Sequence, residues 1–184
     1  MSKESGEGPA DIRREMVALY PRLRRFAYGL TGSMDQADDL VQAAYERALG
    51  RLDQWLPGTR LDSWMFRIVH TLRINRLRSD RVRGAHLAVV DPDTRQGGDL
   101  TREMETGLTL DAVRRFLLTL PADQRAVLML VCVEGHSYAE AASAMGVPIG
   151  TVTSRLGRGR RALREFVEHG EARYVDAERK RSEQ

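Results

Sequence analysis

Between Tyr138 and Arg161 the chain reads YAEAASAMGVPIGTVTSRLGRGRR: an alanine-rich helix, a turn at Gly146-Val147-Pro148, and a second helix bearing hydroxyls and then arginines. Small side chains at Ala141 and Ala142 let two helices cross closely. Gly146 is free to take the left-handed conformation that ends the first helix, and Pro148 suits a helix entry, where its missing N–H breaks no ladder. Ser137 followed by Glu140 fits a capping box. In the second helix Ile149, Val152, Leu156 and Leu163 recur at helical spacing and are expected to face the core. Thr151, Thr153, Ser154, Arg155 and Arg158 are left for solvent or a ligand. Arg155, Arg158, Arg160, Arg161 and Arg164 follow with no acid between them, a charge distribution that seats a helix against phosphates. The pattern predicts a helix-turn-helix that meets DNA. The plainer alternative is an αα-hairpin with a solvated basic face, and the agreement of turn chemistry, small crossing residues and charge weighs against it.

A chain of 184 residues, 42% hydrophobic, holds one medium domain or two small ones. The net charge of +3 is small, so the local clustering of arginine matters more than the total. Arginine also suits bidentate contacts to guanine and phosphate. The single cysteine, Cys132, excludes a disulfide framework or a cysteine-based zinc site and is expected as a small buried hydrophobe. Met1 to Pro9 is polar, and no stretch approaches a membrane span, so a cytoplasmic protein without membrane insertion is expected. The four histidines, His70, His86, His136 and His169, are scattered, and no Gly-rich phosphate loop or serine-base constellation is present. No catalytic residue, metal or cofactor is therefore expected, and an enzyme is disfavoured.

The periodicities predict an all-α chain of two small helical domains. From Asp11 to Leu30 the positions Ile12, Val17, Leu19, Leu23, Phe26, Ala27 and Leu30 suit a helix with a bend at Pro21. Thr31-Gly32-Ser33 stops it, and Ser33 with Gln36 caps the next helix, which runs to about Leu52 with Ala37, Leu40, Val41, Ala44, Tyr45 and Ala48 inward. A loop around Pro57 leads to a third helix, roughly Leu61 to Val82, with Trp64, Ile68, Leu72 and Leu77 as core candidates and many arginines. Gly84 to Gly107 turns acidic and rich in turn residues, the composition of a flexible linker. A second domain begins near Leu108 with Leu110, Val113, Phe116, Leu117 and Leu120 on one face. A break at Leu120-Pro121 follows, then a helix holding Val127, Leu128, Leu130 and Val131, then the helix-turn-helix. The resulting division is 10–82, linker 83–107, 108–166, and a charged tail 167–184 that reads as a frayed helical extension or a disordered segment.

Three blocks in order then carry a family resemblance. They are Asp35 to Gln42 with Arg51 to Trp55; Asp62 through His70 to Arg78; and Leu120-Pro121-Ala-Asp-Gln-Arg125-Ala-Val127-Leu128 followed by the helix-turn-helix. Together they cover about residues 10 to 82 and 108 to 166. The chain resembles a sigma factor of the sigma-70 family, in its small extracytoplasmic-function (ECF) group, with sigma region 2 in the first domain and region 4 in the second. The resemblance implies that Asp38, Asp39, Leu40, Gln42, Glu46 and Arg47 form a surface for core RNA polymerase, through its beta-prime and beta subunits. It implies that Arg60, Asp62, Trp64, Arg67, His70, Thr71, Asn75 and Arg78 meet the promoter minus-ten element and help melt it. Thr151, Thr153, Ser154, Arg155 and Arg158 would read the minus-thirty-five element, and an anti-sigma factor is an implied second partner.

Many family members have asparagine where Thr71 stands, aspartate at Asn75, and lysine or arginine at Thr153, so the promoter sequence does not transfer. The main alternative is a two-domain helix-turn-helix repressor or activator that binds a palindrome without polymerase. A sigma mimic that sequesters an anti-sigma protein is another; such proteins carry a receiver domain after the sigma-like part, for which the chain is short.

Overall fold

The computed structural model describes residues 9–56, 58–82 and 110–182, with side chains for 11–56, 58–80, 82 and 110–168. Among these residues the secondary structure is helical throughout: α1 (Pro9–Thr31), α2 (Met34–Leu49), α3 (Leu61–Val82), α4 (Leu110–Thr119), α5 (Ala122–Leu128), α6 (Tyr138–Met145) and α7 (Ile149–Ser182). A 3₁₀ turn at Leu52–Gln54 links α2 to α3, and a wide π turn at Met129–Val133 continues α5. The acidic stretch from Gly84 to Gly107 lies outside the described residues. So do the side chains of the charged tail, whose backbone continues α7 to Ser182.

α1 holds its helix through Pro21, whose ring faces solvent. Its buried stripe is Met16, Leu19, Leu23, Phe26, Ala27 and Leu30. Val17, expected inward, is 70% exposed, because Met16 takes the inward place one residue earlier. Ser33 caps α2, its hydroxyl accepting from the Gln36 amide at 3.4 Å, and Ala37, Leu40, Val41, Ala44 and Ala48 are buried as the spacing predicts. In α3 the deeply buried positions are Met65, Phe66, Ile68 and Val69, while Trp64 and Leu72 are only partly covered. The expected stripe was therefore rotated: Trp64 lies at its edge, and Phe66 fills the centre. Phe66 sits edge-on to Phe26 with ring centroids 5.0 Å apart.

In the second half Ala112 and Phe116 of α4 and Leu120 just after it are buried, and Phe116 stacks on Phe166 at 4.6 Å. Leu110 is exposed, since it opens α4 at the edge of the packed region. Helix α5 is buried nearly all round, from Arg125 to Met129 and Leu130. Its extra π residue closes with the Glu134 amide donating to the Met129 carbonyl at 2.9 Å. That wider turn shifts the register beyond Leu130 and leaves Cys132 exposed, against the expectation of a buried thiol.

The helix-turn-helix forms as the residues dictate. Ser137 and Glu140 make both halves of a capping box, and Gly146 ends α6 at φ 64°. Ala141, Ala142, Val152 and Leu156 are buried at the crossing. Ile149 is not; it is 52% exposed at the first turn of α7, ahead of the contact with α6.

The two halves pack on each other into one continuous apolar core. α6 lies against α3, and α1 lies against α4, α5 and the π turn. The approach at α1 is close: a Cβ on Gly29 would meet the Met129 side chain at 2.5 Å.

Candidate nucleic-acid interface

The face of α3 opens into a cleft of about 840 Å³, walled on one side by α2, the 3₁₀ turn and α3, and on the other by Ala139, Glu140 and Ser143 of α6. Its cations are Arg47, Arg51, Arg60 and Arg67, and its single lining carboxylate is Glu140. Trp64, half-buried, lines it together with the buried Trp55. Trp55 Nε1 and Ser63 Oγ are buried there without a hydrogen-bond partner.

Of the residues expected at the minus-ten element, Arg60, Trp64, Arg67 and Thr71 line this cleft. Asp62 lies beneath them as a clamp: Arg60 donates to both its carboxylate oxygens at 3.0 and 2.6 Å, Arg22 donates at 3.3 Å, and the Ser63 amide at 2.7 Å. His70 faces α5 instead, 3.7 Å from Asp123. Asn75 and Arg78 sit exposed further along α3, away from the cleft. Arg51, Trp55 and Ser63 fall in the family blocks, and Thr59 in the loop before α3, but none of the four was named as a minus-ten contact from the sequence. They precede or begin α3, and only the turn after α2 brings them to the same wall.

On α2, Asp39, Gln42 and Glu46 are exposed, with Gln42 donating to Glu46 at 3.0 Å. Asp38 is tied to Arg24 at 2.5 and 2.9 Å. Leu40 is in the core, which corrects its place in the expected polymerase surface: its spacing with Ala37, Val41 and Ala44 turns it inward. Arg47 reaches the cleft wall.

On α7, Thr153, Ser154 and Arg158 are exposed and Thr151 and Arg155 are half-buried. Thr153 donates to the Ile149 carbonyl at 3.1 Å and Ser154 to the Thr151 carbonyl at 3.0 Å, so both hydroxyls present lone pairs outward. Arg155 is held by Asp123 at 2.5 Å.

The family described as "Sigma-70, region 4" matches residues 110–163, and "Sigma2 domain of PhyR" matches residues 16–70. The chain is 38% identical over 167 residues to the ECF RNA polymerase sigma factor EcfG of Rhodopseudomonas palustris, covering 90% of this chain and 86% of that protein. It belongs to the ECF sigma factors. SigW of Bacillus subtilis is 27% identical over 173 residues, with 89% of this chain and 92% of SigW covered. Among solved structures, the sigma factor RpoE of Bartonella quintana, in complex with the anti-sigma factor NepR, superposes with a TM-score of 0.66 at 32% identity, covering 86% of this chain and 97% of RpoE. The chain is thus a promoter-recognising sigma factor that works with RNA polymerase, and its family regulates transcription. No helix among the described residues is long and apolar enough to cross a membrane.

The junction between the halves of this sigma factor also holds two histidines, His70 and His136. His136 is buried edge-on to Phe66 at 5.0 Å, with neither ring nitrogen hydrogen-bonded; its Nε2 stands 4.0 Å from Asp62, too far for a bond. Burial lowers its pKa from 6.5; Asp62 and Glu140 pull it up, and Arg22 and Arg60 push it further down. Burial lowers the His70 pKa too, opposed by Asp123. At Asp62 burial pushes the carboxyl up, but the Arg60 bonds outweigh it and hold the carboxyl below 3.8.

The signs separate these groups. The unfolded chain binds protons near pH 6.5 that the folded histidines refuse, so stability intact above that pH is lost as pH falls through their folded-state values. The Asp62 contribution is present above about 3.8 and fades only in stronger acid. Urea unfolding at about pH 7.5 and about pH 5 is expected to show lower stability at the acid end, with a smaller loss in His136→Phe. Equal stabilities at the two pH values would remove the histidines from this account.

Proposed function

We propose that this sigma factor divides promoter reading between its two halves: the α3 cleft takes the separated minus-ten strand, and the first turns of α7 enter the minus-thirty-five major groove. The observation that carries this reading is the cleft itself, lined by four arginines and the half-buried Trp64. Extruding a base costs a few kcal/mol. Stacking on an aromatic face returns about 1–3 kcal/mol per base, and arginines along the backbone add attraction that is independent of sequence. Arg60, Trp64, Arg67 and Thr71 are assigned to the strand, Asp62 to holding Arg60, and His70, Asn75 and Arg78 to the flank.

On α7 the assigned readers are Thr151, Thr153, Ser154, Arg155 and Arg158. The exposed acidic side of α2, with Asp39, Gln42 and Glu46, is assigned to the beta-prime subunit of core polymerase, and the beta subunit to region 4. The corresponding domain limits are 10–82 and 108–166, and the place of action is the cytoplasm. An anti-sigma factor is the further partner, supported by the likeness to RpoE, which was solved with NepR.

The test is reconstitution with bacterial core polymerase and transcription from genomic fragments. Promoter-specific initiation is expected. A footprint on a palindrome by the protein alone, with no initiation, would overturn the reading in favour of a repressor or activator. The match to the PhyR sigma2 domain motivates one more arm: relief of anti-sigma inhibition without any initiation would identify a mimic.

A further inference from the structure

Away from the cleft, where α3 passes α5, two arginines from opposite halves come together. Helix α3 reaches α5 at His70, 3.7 Å from Asp123. Arg73 follows one turn later on α3, and Arg125 two residues later on α5. Arg125 is a charged side chain in the core, with 7% of the residue exposed. Its one hydrogen bond runs from Nη1 to the Leu118 carbonyl at 3.3 Å, in the last turn of α4, while its Nε is buried without a partner. Arg73, half-buried, also has a buried and unpartnered Nε. Neither guanidinium is in an ion pair among the described residues. The remaining nitrogens, Arg125 Nη2 and both Nη of Arg73, are not sealed in, so each fork turns its tip to solvent.

The charges around them add up on the positive side. Burial and, after it, the charge of Arg73 bring the Arg125 pKa down to about 10. Burial and Arg76, exposed one turn further along α3, lower that of Arg73, and Asp80 is the one carboxylate that opposes them. The Leu118 carbonyl, at the negative end of α4, answers one donor of Arg125 and none of Arg73. A buried cation without a counter-charge is costly, and a second cation within reach adds to the cost. Two guanidinium forks offer paired donors whose natural complement is the oxygens of a phosphate.

We infer that Arg73 and Arg125 form a phosphate-binding site between α3 and α5, which takes the phosphate or diphosphate group of a small molecule and bridges the two halves through it. The site is separate from promoter reading: neither arginine is among the residues assigned to DNA or polymerase. Both guanidiniums are recessed to their Nε atoms, which suits a compact anion better than the backbone of a stiff duplex. Diphosphate fits better than phosphate, because it gives each fork its own pair of oxygens.

The test uses the full chain at constant ionic strength, with chloride replaced by inorganic phosphate or pyrophosphate, and reads thermal unfolding and phosphorus NMR. Pyrophosphate is expected to raise the unfolding midpoint saturably, by about 5–10 °C at about 100 times its dissociation constant, and phosphate to do so at higher concentration. Arg73→Gln breaks no hydrogen bond among the described residues and is expected to weaken pyrophosphate binding about tenfold or more. Arg125→Met is expected to lose the response, and Arg125→Lys, which keeps the charge but not the fork, to fall between it and wild type. No saturable response in wild type would overturn the inference. So would equal midpoint shifts in wild type and Arg73→Gln, or in sulfate and pyrophosphate, which mark a general salt effect on folding. Displacement of pyrophosphate by a short nonspecific DNA duplex would assign the two arginines to nucleic acid and overturn the small-molecule site.

Discussion

Phe66→Ala is expected to cost about 3–5 kcal/mol of stability, the largest effect of any single truncation considered for this chain. The side chain is fully buried and meets rings from both halves. Phe26 meets its edge from α1, His136 meets it from the second half, and the Arg22 guanidinium lies over its face. Removing the ring leaves a cavity beside a buried histidine and a buried ion-pair network, neither of which collapses readily into apolar space. Urea unfolding followed by circular dichroism measures the loss. Phe66→Leu, which keeps most of the volume, is expected to cost less than the alanine variant. A loss below about 1 kcal/mol for Phe66→Ala would show that Phe66 is not the keystone of the junction.

Arg158→Ala is expected to weaken binding of the polymerase-bound sigma factor to its promoter by about 1–3 kcal/mol, roughly 5- to 150-fold. Arg158 is exposed on the reading face of α7, with no ion pair among the described residues. A contact to phosphate would also lower the slope of log affinity against log salt by about 0.9. Arg155→Ala is expected to do less, because Arg155 must leave Asp123, 2.5 Å away, before it reaches DNA. Asp123→Asn releases it and is expected to strengthen binding. Promoter binding measured across a salt series separates these cases. Identical affinity and slope for Arg158→Ala would remove that residue from the interface.

The legibility of this chain was uneven for physical reasons. Turn and cap chemistry is local, so the capping box at Ser137 and Glu140, the left-handed Gly146 and the small residues Ala141 and Ala142 were all read from spacing alone. The inward stripe of α2 was equally legible, since Ala37, Leu40, Val41, Ala44 and Ala48 repeat it at helical spacing. Errors gathered where packing sets the register. Val17 yielded to Met16, Leu110 and Ile149 lie at helix ends beyond the packed region, and the wide turn after Leu128 carried Cys132 outward. A π turn leaves no mark in the periodicity of an apolar run. The cleft was half legible: Arg60, Trp64, Arg67 and Thr71 share one helix face, but Arg51, Trp55 and Ser63 join them only through the turn after α2.

The helix-turn-helix, the all-helical composition and the order of the sigma blocks were set by the sequence itself, because each depends on residues within a few turns of one another. Two features belonged to the tertiary structure alone. One is the cleft between α3 and α6, whose walls come from residues about 80 positions apart, as the Arg60–Glu140 pair shows. The other is the packing of the two halves on each other, with α6 against α3. Neither Glu134 nor Arg22 carries any local signal for the other, 112 residues away; only the fold brings the α1 arginine and the glutamate after the π turn into a part-buried pair.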